Sequence, residues 1–304
     1  MAKKKTLVVV LGPTASGKTD VAIRLAKYFD TEIISADSRQ FYREIPIGTA
    51  APTAQQLSKV THHLVGNLSL NDDYNVSRFE QDVMALLKEK FRVHDLLIMT
   101  GGSGLYIDAV CKGIDSLPDP DPLLRKTLQE KWQQQGIEVL QQQLQQLDAE
   151  YYEQVDRKNH KRLMRAIEVC LQTGQKYSEL RLNKPQKRDF NILKIGLDLP
   201  REQLFARINR RTEIMLSNGW LEEARSALPF RHKNALNTVG YKELFAYLDG
   251  ELTLEEAVDK IKTNTRRYAK RQLTWFKKDK EIHWFSPEDE EIRQFVEEFL
   301  VGNP

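Results

Sequence analysis

The stretch "GPTASGKT", Gly12 to Thr19, constrains this chain more than any other. It meets the pattern G-x-x-x-x-G-K-[ST] at Gly12, Gly17, Lys18 and Thr19, with an apolar run (Leu7–Leu11) before it and a helix-forming stretch (Val21–Tyr28) after it. In that setting the glycines let backbone N–H groups turn inward, and the helix N-terminus adds positive potential. The lysine neutralises phosphate charge and the Thr19 hydroxyl can ligate Mg²⁺, the expected cofactor. Gly12, Pro13, Thr14, Ala15, Ser16, Gly17, Lys18 and Thr19 are therefore candidate phosphate-binding residues. The motif alone leaves open whether the phosphate belongs to ATP or to another molecule.

Apolar, β-branched runs at Thr6–Leu11, Glu32–Ala36, Leu96–Thr100, Ile192–Leu197 and Ile282–Phe285 read as buried parallel strands, with helical stretches between the first three. This alternation predicts a doubly wound parallel α/β sheet of the P-loop NTPase-like class. After "SLPDPDP" (Ser116–Pro122) the sequence turns helical and glutamine-rich, with Leu140, Leu144, Leu147 and Tyr151 at helical spacing. No strand candidate follows until Asn191, so 118–189 reads as an all-helical insertion closing near "NKPQKRD", and 1–117 with 190–304 as the catalytic core. At 40% hydrophobic and 29% charged, the 304 residues describe an ordinary soluble protein. No stretch approaches the ~20 apolar residues of a membrane span. The start "MAKKKTLVVV" looks like a signal peptide but lacks a small-residue cleavage site, so it reads as a first strand in a cytoplasmic protein. The two cysteines suggest neither a disulfide framework nor a metal cluster.

A net charge of +3 is small, so its distribution matters more. "KIKTNTRRYAKRQLTWFKKDK" (Lys260–Lys280) holds one acid, and it places Arg266 four residues from Lys270 and Arg267 four from Arg271. Like charges at that spacing repel on a helix, which an anionic partner would relieve. A second basic cluster, "RKNHKRLMR", runs from Arg157 to Arg165. Both fit RNA phosphates, with Tyr268, Trp275 and Phe276 available for base stacking or for the core.

The second strand leads into "SADSRQFY". Ligands in such a sheet bind beyond the carboxyl ends of the strands, so Asp37 should lie beside Lys18 and Thr19. It could hold Mg²⁺, act as a general base or cap a turn. Ser38, Arg39 and Gln40 follow, and a glutamine can pair with adenine. The third strand ends in "TGGSGLY", which could bring Ser103 to a ligand or allow tight packing. Arg207 and Arg211, one helical turn apart, could clamp a diphosphate or pair with Glu222 or Glu223. "THH" (Thr61–His63) has no third histidine or cysteine spaced to complete a zinc site.

In order, "GPTASGKT", "DSRQFY", "GTAAP", "THHL", "GGSGLY", "RLMRAIEV", "GYKEL" and "RRYAKRQLTWF" resemble the tRNA dimethylallyltransferases, or tRNA isopentenyltransferases, over nearly the whole chain. The resemblance implies dimethylallyl diphosphate as donor and the anticodon loop of tRNA as partner. The phosphate loop then holds the leaving diphosphate, and N6 of the adenosine immediately 3′ of the anticodon receives the five-carbon group. Asp37 matches the general base, with Ser38, Arg39 and Gln40 near the target and Ser103 approaching the same substrate. Lys18 and Thr19 serve the departing diphosphate, as do Arg207 and Arg211. Arg125 and Lys161, Arg162, Leu163, Met164 and Arg165 match tRNA-contacting positions, and Arg266, Arg267, Lys270 and Arg271 extend that set. Ala51 stands where the family commonly has lysine, and Arg157 follows Asp156 where it commonly has proline. The chain is expected to be monomeric. The rival readings are a prenyltransferase acting on free adenylate, a small-molecule kinase and a non-catalytic RNA-binding module.

Overall fold

Six residues in a row, Thr6–Leu11, are buried in strand β1, and their side chains alternate between the two faces of the sheet. Leu7, Val9 and Leu11 join one apolar cluster with Leu97 and Met99, while Val8 and Val10 join another with Ile98 and Ile195. A strand covered on both faces needs no polar alternation, which is why it reads as a continuous apolar run. With β2 (Ile33–Ser35), β3 (His62–His63), β4 (Leu96–Gly101), β5 (Asn191–Leu197) and β6 (Ile282–Phe285), it forms one sheet in the order β3-β2-β4-β1-β5-β6. Every pairing is parallel.

This computed structural model describes residues 4–182 and 184–302. The lysine-rich start at Met1–Lys3 and Asn183 of the stretch closing the insertion lie outside the described residues. The chain passes from β1 to β2, returns to β4 on one side of β1, and later places β5 on the other. Connections therefore diverge at the carboxyl end of β1, the position where open α/β sheets take ligands. The five expected strands are present. The sixth, β3, was not legible: it has two half-buried histidines at the sheet edge, held by backbone pairing to Ile33 and Ile34.

The chain divides into two compact units, Met1–Cys111 with Arg188–Pro304, and Lys112–Lys187. The second unit is all-helical among its described residues, with a core that includes Leu128, Leu140, Leu144, Leu163 and Ile167. The single helical run expected from Leu140 to Tyr151 is two helices, Glu138–Leu147 and Ala149–Gln154. Asp148 divides them. It is only 1% exposed, and its Oδ1 accepts from Tyr151 N at 2.9 Å while Oδ2 accepts from Ser178 N at 2.7 Å.

The residues expected to meet tRNA in this unit separate by their position on the helix His160–Thr173. Lys161 and Arg162 are exposed, whereas Leu163 and Met164 are buried in the unit's core and present no surface to RNA. Arg125 and Arg165 converge on the buried Glu168, Arg125 Nη2 at 2.6 Å and Arg165 Nη1 at 3.0 Å from Oε2. Arg165 also donates to Pro118 O at 2.7 Å. A buried carboxylate is tolerable only when paired and hydrogen-bonded in this way, so these two arginines carry structure.

Candidate active site

Beyond β1, Gly12 has φ 151°, and a side chain there would meet Leu197 O of β5 at 2.7 Å, so the loop requires glycine where it crosses the neighbouring strand. The helix Lys18–Tyr28 starts immediately after the loop and points its free N–H groups at it. Lys18 Nζ donates to Pro13 O at 2.7 Å. Enclosure by the cleft walls lowers the Lys18 pKa to about 8; the charge of Asp37 opposes that shift and Arg211 adds to it. Burial likewise lowers the Arg211 pKa against the pull of Asp37. Arg211 Nη2 donates to Thr14 Oγ1, so the loop is gripped from the helix Arg201–Ser217.

A second grip comes from a residue not singled out in the sequence. Gln272 Oε1 accepts from Thr14 N at 2.8 Å and Gln272 Nε2 donates to Gly102 O at 2.7 Å. The buried amide thus joins the phosphate loop to the glycine turn after β4. A signal existed: Ala257, Ile261, Ala269, Gln272 and Phe276 form the buried stripe of the helix Leu254–Phe276, and a glutamine in an apolar stripe needs partners. A Cβ on Gly102 would lie 2.4 Å from Gln272 Nε2, so this turn uses its glycine for close packing.

Asp37 follows β2 and caps the turn there. Its Oδ1 accepts from Arg39 N at 3.1 Å, which caps the turn, and its charge acts on Lys18 and Arg211 across the cleft. Burial first, then Asp37, raises the Tyr268 pKa to about 12. Ser103 Oγ accepts from Ser38 N at 2.9 Å and lies 3.2 Å from Ser38 Oγ, pinning the ends of β2 and β4 together. Gln40 requires a correction. Its Nε2 donates to Thr49 O at 3.3 Å and Ala50 O at 3.1 Å, and its Oε1 accepts from Ser35 Oγ, so the amide fixes the segment that follows and is not free to read a base. Glu223 holds the same segment from the other side, accepting from Ile47 N and Gly48 N, each at 2.7 Å.

Two cavities of about 640 and 650 Å³ open on this machinery, both within the first unit. One is lined by Gly17, Lys18, Thr19, Asp20 and Arg207; the other by Arg39, Ser103, Leu105, Lys242, Arg271 and Trp275. Thr14, Asp37, Thr49, Ala50, Arg211, Met215, Tyr268 and Gln272 line both, so the two spaces meet at a waist. Lys18 and Arg207 therefore stand on the phosphate-loop side of the waist, aromatic and hydroxyl groups with Arg39, Lys242 and Arg271 on the other, and Asp37 and Arg211 at the waist itself. Arg207 pairs with Glu288; neither Glu222 nor Glu223 takes it, since Glu222 faces Arg225.

On the long helix, Arg267, Lys270 and Arg271 are exposed. Arg266 is half-buried and tied to Asn209 and Thr263, both at 2.9 Å, with its guanidinium 5.7 Å from the Phe205 ring, so its role is internal. Phe276 is core, whereas Tyr268 and Trp275 keep open faces beside the second cavity. Trp275 Nε1 donates to Asp108 Oδ2 at 2.9 Å. Away from the cleft, His63 Nε2 meets Glu32 at 2.7 Å and His62 Nδ1 meets Val60 O at 2.8 Å. No cluster of three His, Cys, Asp or Glu side chains suited to a metal occurs among the described residues. No helix among them is long and apolar enough to cross a membrane.

A family model described as IPP transferase matches residues 40–279. The chain is 51% identical over 292 residues to the tRNA dimethylallyltransferase 1 of Phocaeicola vulgatus, covering 96% of this chain and 97% of that protein. It is also 51% identical over 292 residues to tRNA dimethylallyltransferase 1 of Bacteroides thetaiotaomicron, covering 96% and 95%. The crystal structure of the full-length tRNA isopentenylpyrophosphate transferase from Bacillus halodurans superimposes with a TM-score of 0.72 at 35% identity, over 99% of this chain and 98% of the other. A eukaryotic dimethylallyltransferase solved acting on tRNA shares the fold at TM-score 0.82 and 24% identity, over 99% and 80%.

Proposed function

This chain belongs to the IPP transferase family of tRNA dimethylallyltransferases, and on that premise we propose that it moves the dimethylallyl group of dimethylallyl diphosphate to N6 of the adenosine immediately 3′ of a tRNA anticodon. The observation that carries this reading is the waist: Lys18 lines the phosphate-loop cavity, while Asp37 and Arg211 line both cavities and so bring a carboxylate and a cation to the point where the two spaces meet.

The chemistry follows from the order of groups. The adenine N6 lone pair is delocalised into the ring and attacks poorly while the proton stays on. As the N6–C1 bond forms and the C1–O bond breaks, the N6 proton passes to the Asp37 carboxylate and the electron pair leaves with diphosphate. Lys18, Arg211 and the N–H groups at the start of the helix Lys18–Tyr28 stabilise the charge growing on that leaving group. Thr19 offers a hydroxyl oxygen to the same cavity, a hard donor that together with diphosphate oxygens would fit Mg²⁺. When bound there, the ion neutralises diphosphate charge.

On this reading the target base leaves its stack and enters the second cavity, beside Ser103, Tyr268 and Trp275. Arg267, Lys270 and Arg271, and separately Lys161 and Arg162, meet phosphates as exposed cations. Action as a monomer in the cytoplasm, where tRNA is available, is part of the same proposal. The test is mass analysis of nucleosides digested from unmodified tRNA after incubation with protein, Mg²⁺ and dimethylallyl diphosphate, with ATP replacing the donor in parallel. Prenylated adenosine in the first reaction alone is expected. Prenylation of free AMP, ADP or ATP with none of tRNA would overturn the acceptor. Phosphate transfer from ATP without any prenylation would overturn the reaction.

A further inference from the structure

If phosphate and base approach the waist from opposite sides, the carbon transferred must lie at the waist, and so must the tail attached to it. Among the side chains shared by the two cavities, Thr14, Asp37, Thr49, Arg211 and Gln272 are polar and already engaged. Ala50 is small and sits at φ 49°, a left-handed conformation that larger branched side chains resist. Tyr268 carries a hydroxyl under the influence of Asp37. Met215 is the one large wholly apolar side chain on the shared wall.

Met215 is also placed in register with the phosphate side. It lies four residues after Arg211 on the helix Arg201–Ser217, so the two project from the same face one turn apart. It is 9% exposed and packs in the main apolar core, whose members include Trp220, itself a wall of the second cavity. A donor with its diphosphate at Arg211 and Lys18 would therefore meet Met215 with its tail, and the core to which Met215 belongs includes Trp220. The thioether suits this place because a flexible, polarisable side chain fills an irregular apolar space.

We propose that Met215 is the specificity-determining residue for the length of the allylic donor, ending the tail subsite after one five-carbon unit. This rests on the reading of the cleft as a prenyl-transfer site. Met215→Ala removes Sδ and its two flanking carbons and opens the wall towards Trp220, giving a second isoprene unit room.

The experiment is competition between dimethylallyl and geranyl diphosphates for the same unmodified tRNA, with the ratio of five- to ten-carbon adenosine products read by mass. The wild-type chain is expected to transfer the five-carbon group almost alone. Met215→Ala is expected to shift the ratio towards the ten-carbon product by ten-fold or more, and Met215→Val, which removes less volume and disturbs the core less, in the same direction by a smaller factor. A ratio within two-fold of wild type in either folded variant overturns the assignment, because a merely structural methionine would change total activity and leave chain-length preference alone. Failure of the wild-type chain to transfer dimethylallyl at all would instead overturn the proposed function, so the two failures are distinguishable.

Discussion

Replacing Gln272 by leucine tests whether the phosphate loop is positioned by the long helix. The wild-type amide makes two hydrogen bonds, to Thr14 N–H at 2.8 Å and Gly102 O at 2.7 Å, from a side chain that is almost fully buried. Leucine keeps the volume and removes both bonds, leaving a donor and an acceptor behind. Each deserted buried group costs about 1–3 kcal/mol. Thr14 and Gly102 border the cleft, where water can reach them, so the lower end of the range applies to each. The total is about 2 kcal/mol, and at roughly 2–4 °C per kcal/mol for a chain of this size the melting temperature should fall by about 4–8 °C. Function should change more selectively. With Thr14 held only by Arg211, the loop loses its fixed geometry at the diphosphate, and kcat/KM for the donor should fall about 10- to 100-fold. Affinity for tRNA should stay within about three-fold, since the exposed cations are untouched. Thermal melts, donor-dependent steady-state rates and equilibrium tRNA binding give the three readouts. A lowered melting temperature with unchanged donor kinetics would refute the positioning role, and an unchanged melting temperature would refute the bonding account itself.

Two further perturbations follow from the electrostatics. Lys18, at about 8, releases its proton in the free protein as pH rises through that value, well below its ordinary 10.5. Its charge therefore weighs against the fold fully below about pH 8, a penalty that fades between 8 and 10.5. A bound diphosphate favours the charged form, so an alkyl diphosphate, itself fully ionised at pH 9, should bind with net proton uptake near pH 9 and with falling affinity above pH 8. Calorimetry in buffers of different ionisation enthalpy measures this, and zero uptake at pH 9 would contradict it. In the helical unit, Glu168→Ala strands Arg125 and Arg165. Breaking a buried pair costs about 3–5 kcal/mol, reduced here to about 1–3 because both arginines are partly exposed. Hydrogen exchange of the helix His160–Thr173 should speed up accordingly, and unchanged protection would contradict the assigned role.

How much of this was legible in the sequence depended on whether a residue's partners were near it in the chain. The phosphate loop and β1, β4 and β5 are local: apolar runs and a fixed spacing of glycines, lysine and threonine define them without outside help. Asp37 could be placed beside Lys18 because a parallel sheet fixes where strand ends lie. Gln272 acts on Thr14 from 258 positions away, and Met215 gains meaning only where two cavities meet. Charge alone did not show which cations also hold a partner within the fold. Arg125, Arg165 and Arg266 read as contacts for RNA, yet each is committed to a partner inside its own unit. The break at Asp148 was hidden because Leu140, Leu144, Leu147 and Tyr151 keep helical spacing across it.

The measurement that bears most directly on the mechanism is a single-turnover rate for Asp37→Asn, taken with tRNA and dimethylallyl diphosphate both saturating, beside the affinity of the same variant for tRNA. Asparagine retains the oxygen that accepts from Arg39 N, so the turn survives while the proton acceptor is lost. The account predicts a rate about 10²- to 10⁴-fold below wild type, with tRNA affinity within about three-fold. Turnover near the wild-type rate, or equal losses in turnover and affinity, would contradict the assignment of Asp37 as the base at the waist.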